Sequence, residues 1–238
     1  MLNDLDRESR AVGLNMNLEK TKAMTNGKPD PVLVNNQIIE YVNEYVYLGQ
    51  IISPQDLSNK EIDRRIGNAW KQYWSFKEAM KNKETSISIK RKLFNTCILP
   101  VLTYGCQSWA LNQTHYRKLE TCQNAMERSM VGKRLSDKIR TSTIRKYTKI
   151  KDVTVTIRKL KWKWAGHTVR GTDKWSKTIL FWFTSNRKRK RGRPLRRWVD
   201  DIKNTAGKRW TTLANNRTKW KELGEAFAYN RHTEGADN

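Results

Sequence analysis

Acidic residues are scarce in this chain: 23 Asp and Glu stand against 48 Lys and Arg, a formal net charge of +25 over 238 residues. The surplus cations have no carboxylates to pair with inside the molecule, and a buried unpaired cation costs several kcal/mol. They must therefore face solvent or a polyanion. Cysteine is also rare. Cys97, Cys106 and Cys122 are an odd set of three, which excludes a disulfide framework and fits a reducing, intracellular compartment. Their spacing around His115 contains no close Cys-x-x-Cys pair, so buried thiols are expected in place of a zinc site. No apolar run reaches the length of a membrane span, and Met1-Leu-Asn-Asp is charged too early for a secretory signal. No internal repeat is present. Hydrophobic residues make up only 37%, yet ten Trp, eight Tyr and five Phe can still build cores, which excludes disorder throughout.

The charge is unevenly placed. Residues 1–60 sum to −2, residues 61–150 to +12 and residues 151–238 to +15. The densest run, residues 187–197, reads Arg-Lys-Arg-Lys-Arg-Gly-Arg-Pro-Leu-Arg-Arg. Phosphate backbones are the commonest partner for such a surface, through counterion release. A short basic run is also the form of a nuclear import signal, and Arg191-Gly-Arg193-Pro is the core of an AT-hook, which lies in the A·T minor groove.

Periodicity predicts a mainly α protein with a small antiparallel β-hairpin or meander near its N-terminus. Leu2, Leu5, Ser9 and Val12 share a helical face that Gly13 ends. Val32–Val34, Ile38–Ile39, Tyr45–Leu48 and Ile51–Ile52 are short β-prone runs split by Asn35-Asn36 and Gly49. After Pro54 the pattern turns helical. Ser58 and Glu61 have capping-box spacing, and Ile62, Ile66, Ala69, Tyr73, Phe76 and Met80 form one stripe. Further helices are expected from Ser86 to Pro100, over 114–131 and over 142–148. Another is expected after Asp152, on Ile157, Leu160, Trp164 and His167. A basic linker should cover 184–193. A helix should run from Pro194 to Ala206, and a last one over 216–229. Three regions follow: 1–55, 56–150 and 151–238.

Several motifs in order resemble the C-terminal part of the reverse transcriptase of non-LTR, LINE-type retrotransposons. Gly13-Leu-Asn-Met-Asn-Leu-Glu-Lys20-Thr-Lys resembles motif D of the palm. Tyr45-Val-Tyr-Leu-Gly-Gln50 resembles the motif E primer grip. Leu99-Pro-Val-Leu-Thr-Tyr-Gly-Cys-Gln-Ser-Trp109 resembles part of the helical thumb. Leu160-Lys-Trp-Lys-Trp-Ala-Gly-His167, Gly192-Arg-Pro-Leu-Arg-Arg-Trp-Val-Asp-Asp-Ile202 and Arg217-Thr-Lys-Trp-Lys-Glu-Leu-Gly-Glu-Ala-Phe227 resemble the tail beyond the thumb. The resemblance covers nearly the whole chain. It implies a distal palm remnant, a thumb and a basic tail from an RNA-directed DNA polymerase. The full-length family uses Mg²⁺; no cofactor is expected in this chain.

The resemblance also implies roles for particular residues. Lys20 is the motif D lysine, and Tyr45, Tyr47, Leu48 and Gly49 are the primer grip. The Val and Leu positions of that hairpin are expected to pack. The metal-binding Tyr/Phe-x-Asp-Asp turn precedes motif D in the family and is missing here, so the chain is not expected to polymerise alone. Trp198-Val-Asp200-Asp201 imitates that turn but follows motif D, and its carboxylates are expected to serve structure. Nucleic-acid contacts to RNA, DNA or their hybrid are expected from Arg64, Arg65, Lys71, Lys90, Arg91, Lys92, Lys161, Lys163, Arg191, Arg193, Arg196 and Arg197. Cations interleaved with Trp162 and Trp164 could flank stacked bases; Trp164 lies on the apolar stripe and is expected in the core. Trp162 stays open, and His167 is expected to pack. The alternatives are a non-enzymatic chromatin protein using the AT-hook, or a decayed reading frame. The expected location is intracellular and nuclear, with no membrane partner.

Overall fold

The computed structural model describes residues 1–53, 57–172, 174–181 and 197–229. Two compact units divide the chain, Met1–Glu61 and Ile62–Asn238. Among the described residues the fold is mainly helical, with short strands confined to the first unit, as the sequence pattern predicts.

In the first unit, helix α1 (Leu2–Ala11) ends where Gly13 takes a φ of +78°. Strands β2 (Leu33–Val34) and β3 (Gln37–Ile38) form an antiparallel hairpin. Its two turn residues, Asn35 and Asn36, have φ of 50° and 62°, the left-handed conformation that two-residue hairpins require and asparagine tolerates. Buried Asp6 holds this turn against α1 by accepting from Asn35 Nδ2 at 2.7 Å. A second hairpin pairs β5 (Tyr45–Tyr47) with β6 (Gln50–Ile52) around Leu48 and Gly49, both at positive φ. The pattern did not anticipate the parallel pairing of β1 (Lys22–Ala23) with β4 (Glu40–Tyr41). Two-residue strands carry no periodicity to read.

Helix α2 (Leu57–Ser75) starts before Ser58, and Glu61 Oε2 accepts the Ile51 N–H at 2.9 Å. The stripe from Ile62 to Met80 is broken at Phe76, which separates α2 from the short α3 (Lys77–Lys81). Ser86 caps α4 (Ile87–Leu93). A π-helical turn, Phe94–Ile98, leads from there into α5 (Leu99–Leu102). Pro100 does not stop the helix. It occupies the first turn of α5, where a missing N–H costs little. Helix α6 (Gln113–Met130) opens on a capping box between Asn112 and His115, which gives buried His115 a structural role. Helix α7 (Thr141–Thr148) precedes α8 (Val153–Arg170), whose N-terminus Asp152 caps through the Thr154 and Val155 N–H groups.

Helices α9 (Lys174–Phe181) and α11 (Trp210–Asn215) were not anticipated. Helix α10 (Asp200–Ala206) begins later than expected, and Pro194 lies outside the described residues, as does the linker 184–193. Helix α12 (Arg217–Tyr229) closes the described chain.

Among its described residues the second unit holds two apolar cores. One gathers Ile62, Tyr73, Phe94, Leu102, Leu119 and Met126; the other gathers Trp162, Val169, Ile202, Trp210, Trp220 and Phe227. Helix α8 serves both, giving Val153 and Ile157 to the first and Trp162, Ala165 and Val169 to the second. No helix among the described residues is long and apolar enough to cross a membrane.

Candidate nucleic-acid interface

Three of the expected phosphate-contacting cations are buried. Lys161 is 3% exposed, and its ammonium sits 2.9 Å from Asp201 and 4.9 Å from the centre of the Trp198 ring. Arg65 is buried with its guanidinium 4.5 Å over the Tyr104 ring. Lys90 is buried and donates to the Met130 carbonyl at 3.2 Å. For Lys161 and Arg65 the expectation of a surface contact is corrected: each has been absorbed by a partner that lies far away in sequence.

Lys71, Lys92, Lys163 and Arg197 are exposed, while Arg64 and Arg91 are half-buried. The Arg197 N–H donates to Asp200 Oδ2 at 2.7 Å. Arg191, Arg193 and Arg196, and with them the AT-hook, lie outside the described residues.

The Asp200–Asp201 pair does not fit a divalent ion. Asp201 is neutralised by Lys161, and Asp200 is engaged by the backbone before α10. Among the described residues no group of three His, Cys, Asp or Glu is placed to hold a metal.

Two corrections concern aromatic and imidazole groups. Trp162 is 4% exposed and belongs to the core, whereas Trp164 is 38% exposed and meets Trp198 edge to face at 5.3 Å. His167 is exposed, not packed.

In the first unit, Lys20 is exposed at a turn, where its N–H donates to Asn17 Oδ1 and its carbonyl accepts from the Tyr45 hydroxyl at 3.1 Å. Tyr45, Tyr47, Leu48 and Gly49 all stand on the β5–β6 hairpin and are exposed. Val46 and Leu48, expected to pack, are also exposed, at 51% and 76%. The type of turn explains Leu48: at a φ of 49° it sits at the tip of the hairpin, between β5 and β6.

What sequence reasoning missed is a cleft of about 400 Å³ at the C-terminal end of α6. Lys81, Lys83, Lys90 and Lys133 line it together with Ser129 and Tyr147, and no carboxylate is among its described lining residues. Lys90 forms the buried wall. Burial pulls its pKa down, and the charge of Lys81 pulls it down further. The carbonyls ending α6 carry a partial negative charge, and Lys90 and Lys81 reach them at 3.2 and 3.5 Å. Each ammonium has three donors, so both keep donors for another acceptor. Lys83 and Lys133 are exposed and make no ion pair among the described residues. Four cations against a fraction of a negative charge leave the cleft strongly positive. The runs Lys81-Asn-Lys83 and Lys133-Arg134 were visible as charge, but only the packing of α3 against α6 brings them together.

The second unit is α-rich and carries a basic cleft with no carboxylate among its described lining residues. The chain belongs to a family of transposon-derived proteins. It is 30% identical over 243 residues to an uncharacterized transposon-derived protein of Caenorhabditis elegans, with 92% of this chain and 86% of the relative aligned. No protein-family model matches the chain, and no solved structure matches it.

Proposed function

We propose that this chain is the distal palm, thumb and tail of a LINE-type reverse transcriptase, retained as a nucleic-acid-binding protein that does not polymerise by itself. It grips RNA, DNA or their hybrid through phosphates and with little regard for sequence, inside the nucleus. The observation that carries this reading is the lysine cleft of Lys81, Lys83, Lys90 and Lys133, which has no acidic residue among its described lining residues. A cluster of unneutralised ammonium groups on a helical scaffold attracts phosphates and reads no base edges. The transposon ancestry of the relative supports the same direction.

Fluorescence anisotropy across a salt series tests it, with an RNA–DNA hybrid, a DNA duplex and single strands of equal length as probes. Binding to all of them with a steep salt slope, strongest for the hybrid, is expected. In the Lys83→Gln/Lys133→Gln variant the slope should fall by about 2, near 0.9 per phosphate contact. Binding that is the same in the variant, or absent at low salt, overturns the reading. So does template-dependent nucleotide incorporation for the inactive part of it.

A further inference from the structure

A second basic cleft, of about 370 Å³, runs along the seam between α8 and α12. Helical spacing builds it. Lys163, His167 and Arg170 fall at i, i+4 and i+7 and share one face of α8, and Arg217 and Lys221 fall at i and i+4 on α12. The stacked indoles of Trp162 and Trp220 line the same cleft. The acidic residue in the lining, Glu225, is neutralised by Lys159 at 2.9 Å. Lys163, Arg217 and Lys221 are exposed and make no ion pair among the described residues.

Arg170 is fixed in place. Its Nη1 donates to the Ala214 carbonyl at 2.5 Å, which leaves other N–H groups of the guanidinium available. Burial lowers the pKa of Arg170, and the nearby charge of Arg217 lowers it further. Two guanidiniums that repel across one cleft are brought to rest by an anion between them. Paired arginines present planar forks that match the oxygens of a phosphate.

We propose that the α8–α12 seam is a phosphate clamp. Arg170 and Arg217 hold one phosphate group between them, and Lys163 and Lys221 flank it. The phosphate is carried by a nucleic-acid strand or is free in solution. The strand-borne case rests on the nucleic-acid reading above and adds a second anchor in the same unit as the lysine cleft.

The test uses the full chain with two probes. Inorganic phosphate is titrated while the Nε1–H resonances of Trp162 and Trp220, which line the cleft, are followed by NMR. The RNA–DNA hybrid is titrated by anisotropy across a salt series. Arg217→Gln/Lys221→Gln changes exposed residues only, and Lys163→Gln tests the clamp independently from the other helix. The expected result is movement of both indole resonances with phosphate in the wild type and none in the Arg217→Gln/Lys221→Gln variant. Hybrid affinity should fall about tenfold, and the salt slope should drop by about 1. Arg217→Lys should keep the slope yet lose affinity severalfold, because charge survives and the fork does not.

Indole movement with phosphate, in a chain that binds no nucleic acid, supports a clamp for free phosphate and overturns the nucleic-acid reading alone. Stationary indoles, with hybrid affinity and slope unchanged in both seam variants, overturn the clamp and leave the lysine cleft as the anchor.

Discussion

Trp162 and Trp220 donate to each other's backbone across the seam of two helices. The Trp162 Nε1–H reaches the Trp220 carbonyl at 2.8 Å, and the Trp220 Nε1–H reaches the Trp162 carbonyl at 3.1 Å. Their rings lie nearly parallel, 11° apart, with centroids separated by 3.9 Å. A buried indole is costly without a partner for its N–H, and here each tryptophan supplies the other with a stacking face from its ring and an acceptor from its backbone carbonyl. Such an approach needs room. A methyl group built on Gly166 would lie 2.4 Å from Trp220 Nε1, and one on Gly224 would lie 3.0 Å from Trp162 Cδ1.

Gly166→Ala should therefore destabilise the second unit by about 1–3 kcal/mol, as overpacking of a rigid core does. Gly67→Ala should act in the opposite sense. Gly67 sits in α2 with no atom near its missing methyl, and alanine in a helix interior gains roughly 0.5–1 kcal/mol over glycine. Urea denaturation of the two variants beside the wild type compares them; equal effects would contradict the packing described at the seam.

The Lys161–Asp201 ion pair is buried, with side chains 4% and 10% exposed. Asp201→Asn or Lys161→Met alone should cost about 3–5 kcal/mol, since either leaves an uncompensated buried group. The double variant Lys161→Met/Asp201→Leu should recover most of that loss. A thermodynamic cycle from thermal or denaturant melts measures the coupling, and additive losses would show that the two residues do not depend on each other.

Glu127, Arg145 and Asp152 form a network whose two carboxylates respond to acid with opposite signs. For Asp152, burial pushes the carboxyl up, but hydrogen bonds from Thr154 and Val155 and the Arg145 charge outweigh it and hold the pKa below its ordinary value. The stability it adds is present above the unfolded-state pKa near 4 and is lost as pH falls through the lower folded value. For Glu127, burial pushes the carboxyl up against the opposing pull of Arg145 and Thr148. Its contribution is present below the unfolded pKa and is lost as pH rises through the folded one. Asp152→Asn should flatten the loss of melting temperature between about pH 5 and pH 3, whereas Glu127→Gln should steepen it. Melting curves over that range settle the signs.

Cys106 and Cys122 are buried, and burial pushes both thiols up to about 12. Cys97 is only half-buried. A thiol reagent at mildly alkaline pH should modify Cys97 alone in the folded chain and all three cysteines after denaturation. Rapid reaction of Cys106 or Cys122 in the native state would contradict the packing of the first core of the second unit.

The helical character, the two-residue hairpin turns and the helix caps at Ser86 and Asp152 were legible because they depend on neighbours in sequence. Helix α8 was not. A single stripe through Ile157, Leu160, Trp164 and His167 suits a helix with one buried side, but α8 changes cores along its length. Trp162 and Lys161 are buried as a result, while Trp164 is half out and His167 is exposed. The same limit hid both clefts. Lys90 and Lys133, or Arg170 and Arg217, are more than forty residues apart in sequence, and their convergence is a property of helix packing alone. Lys161 and Arg65 showed their charge in sequence but not the Asp201 carboxylate and Tyr104 ring that absorb it.

The π-helical turn Phe94–Ile98 holds one more residue than the same stretch of α-helix would. Chain length there is consequently a structural parameter in its own right. Removing one residue from the turn would wind it back to the usual pitch and leave the helix beyond it close to its present register. Leu99 and Leu102, buried at 2% and 0% exposure, would keep facing the core. Here the helix takes up an extra residue without turning the apolar face that follows it.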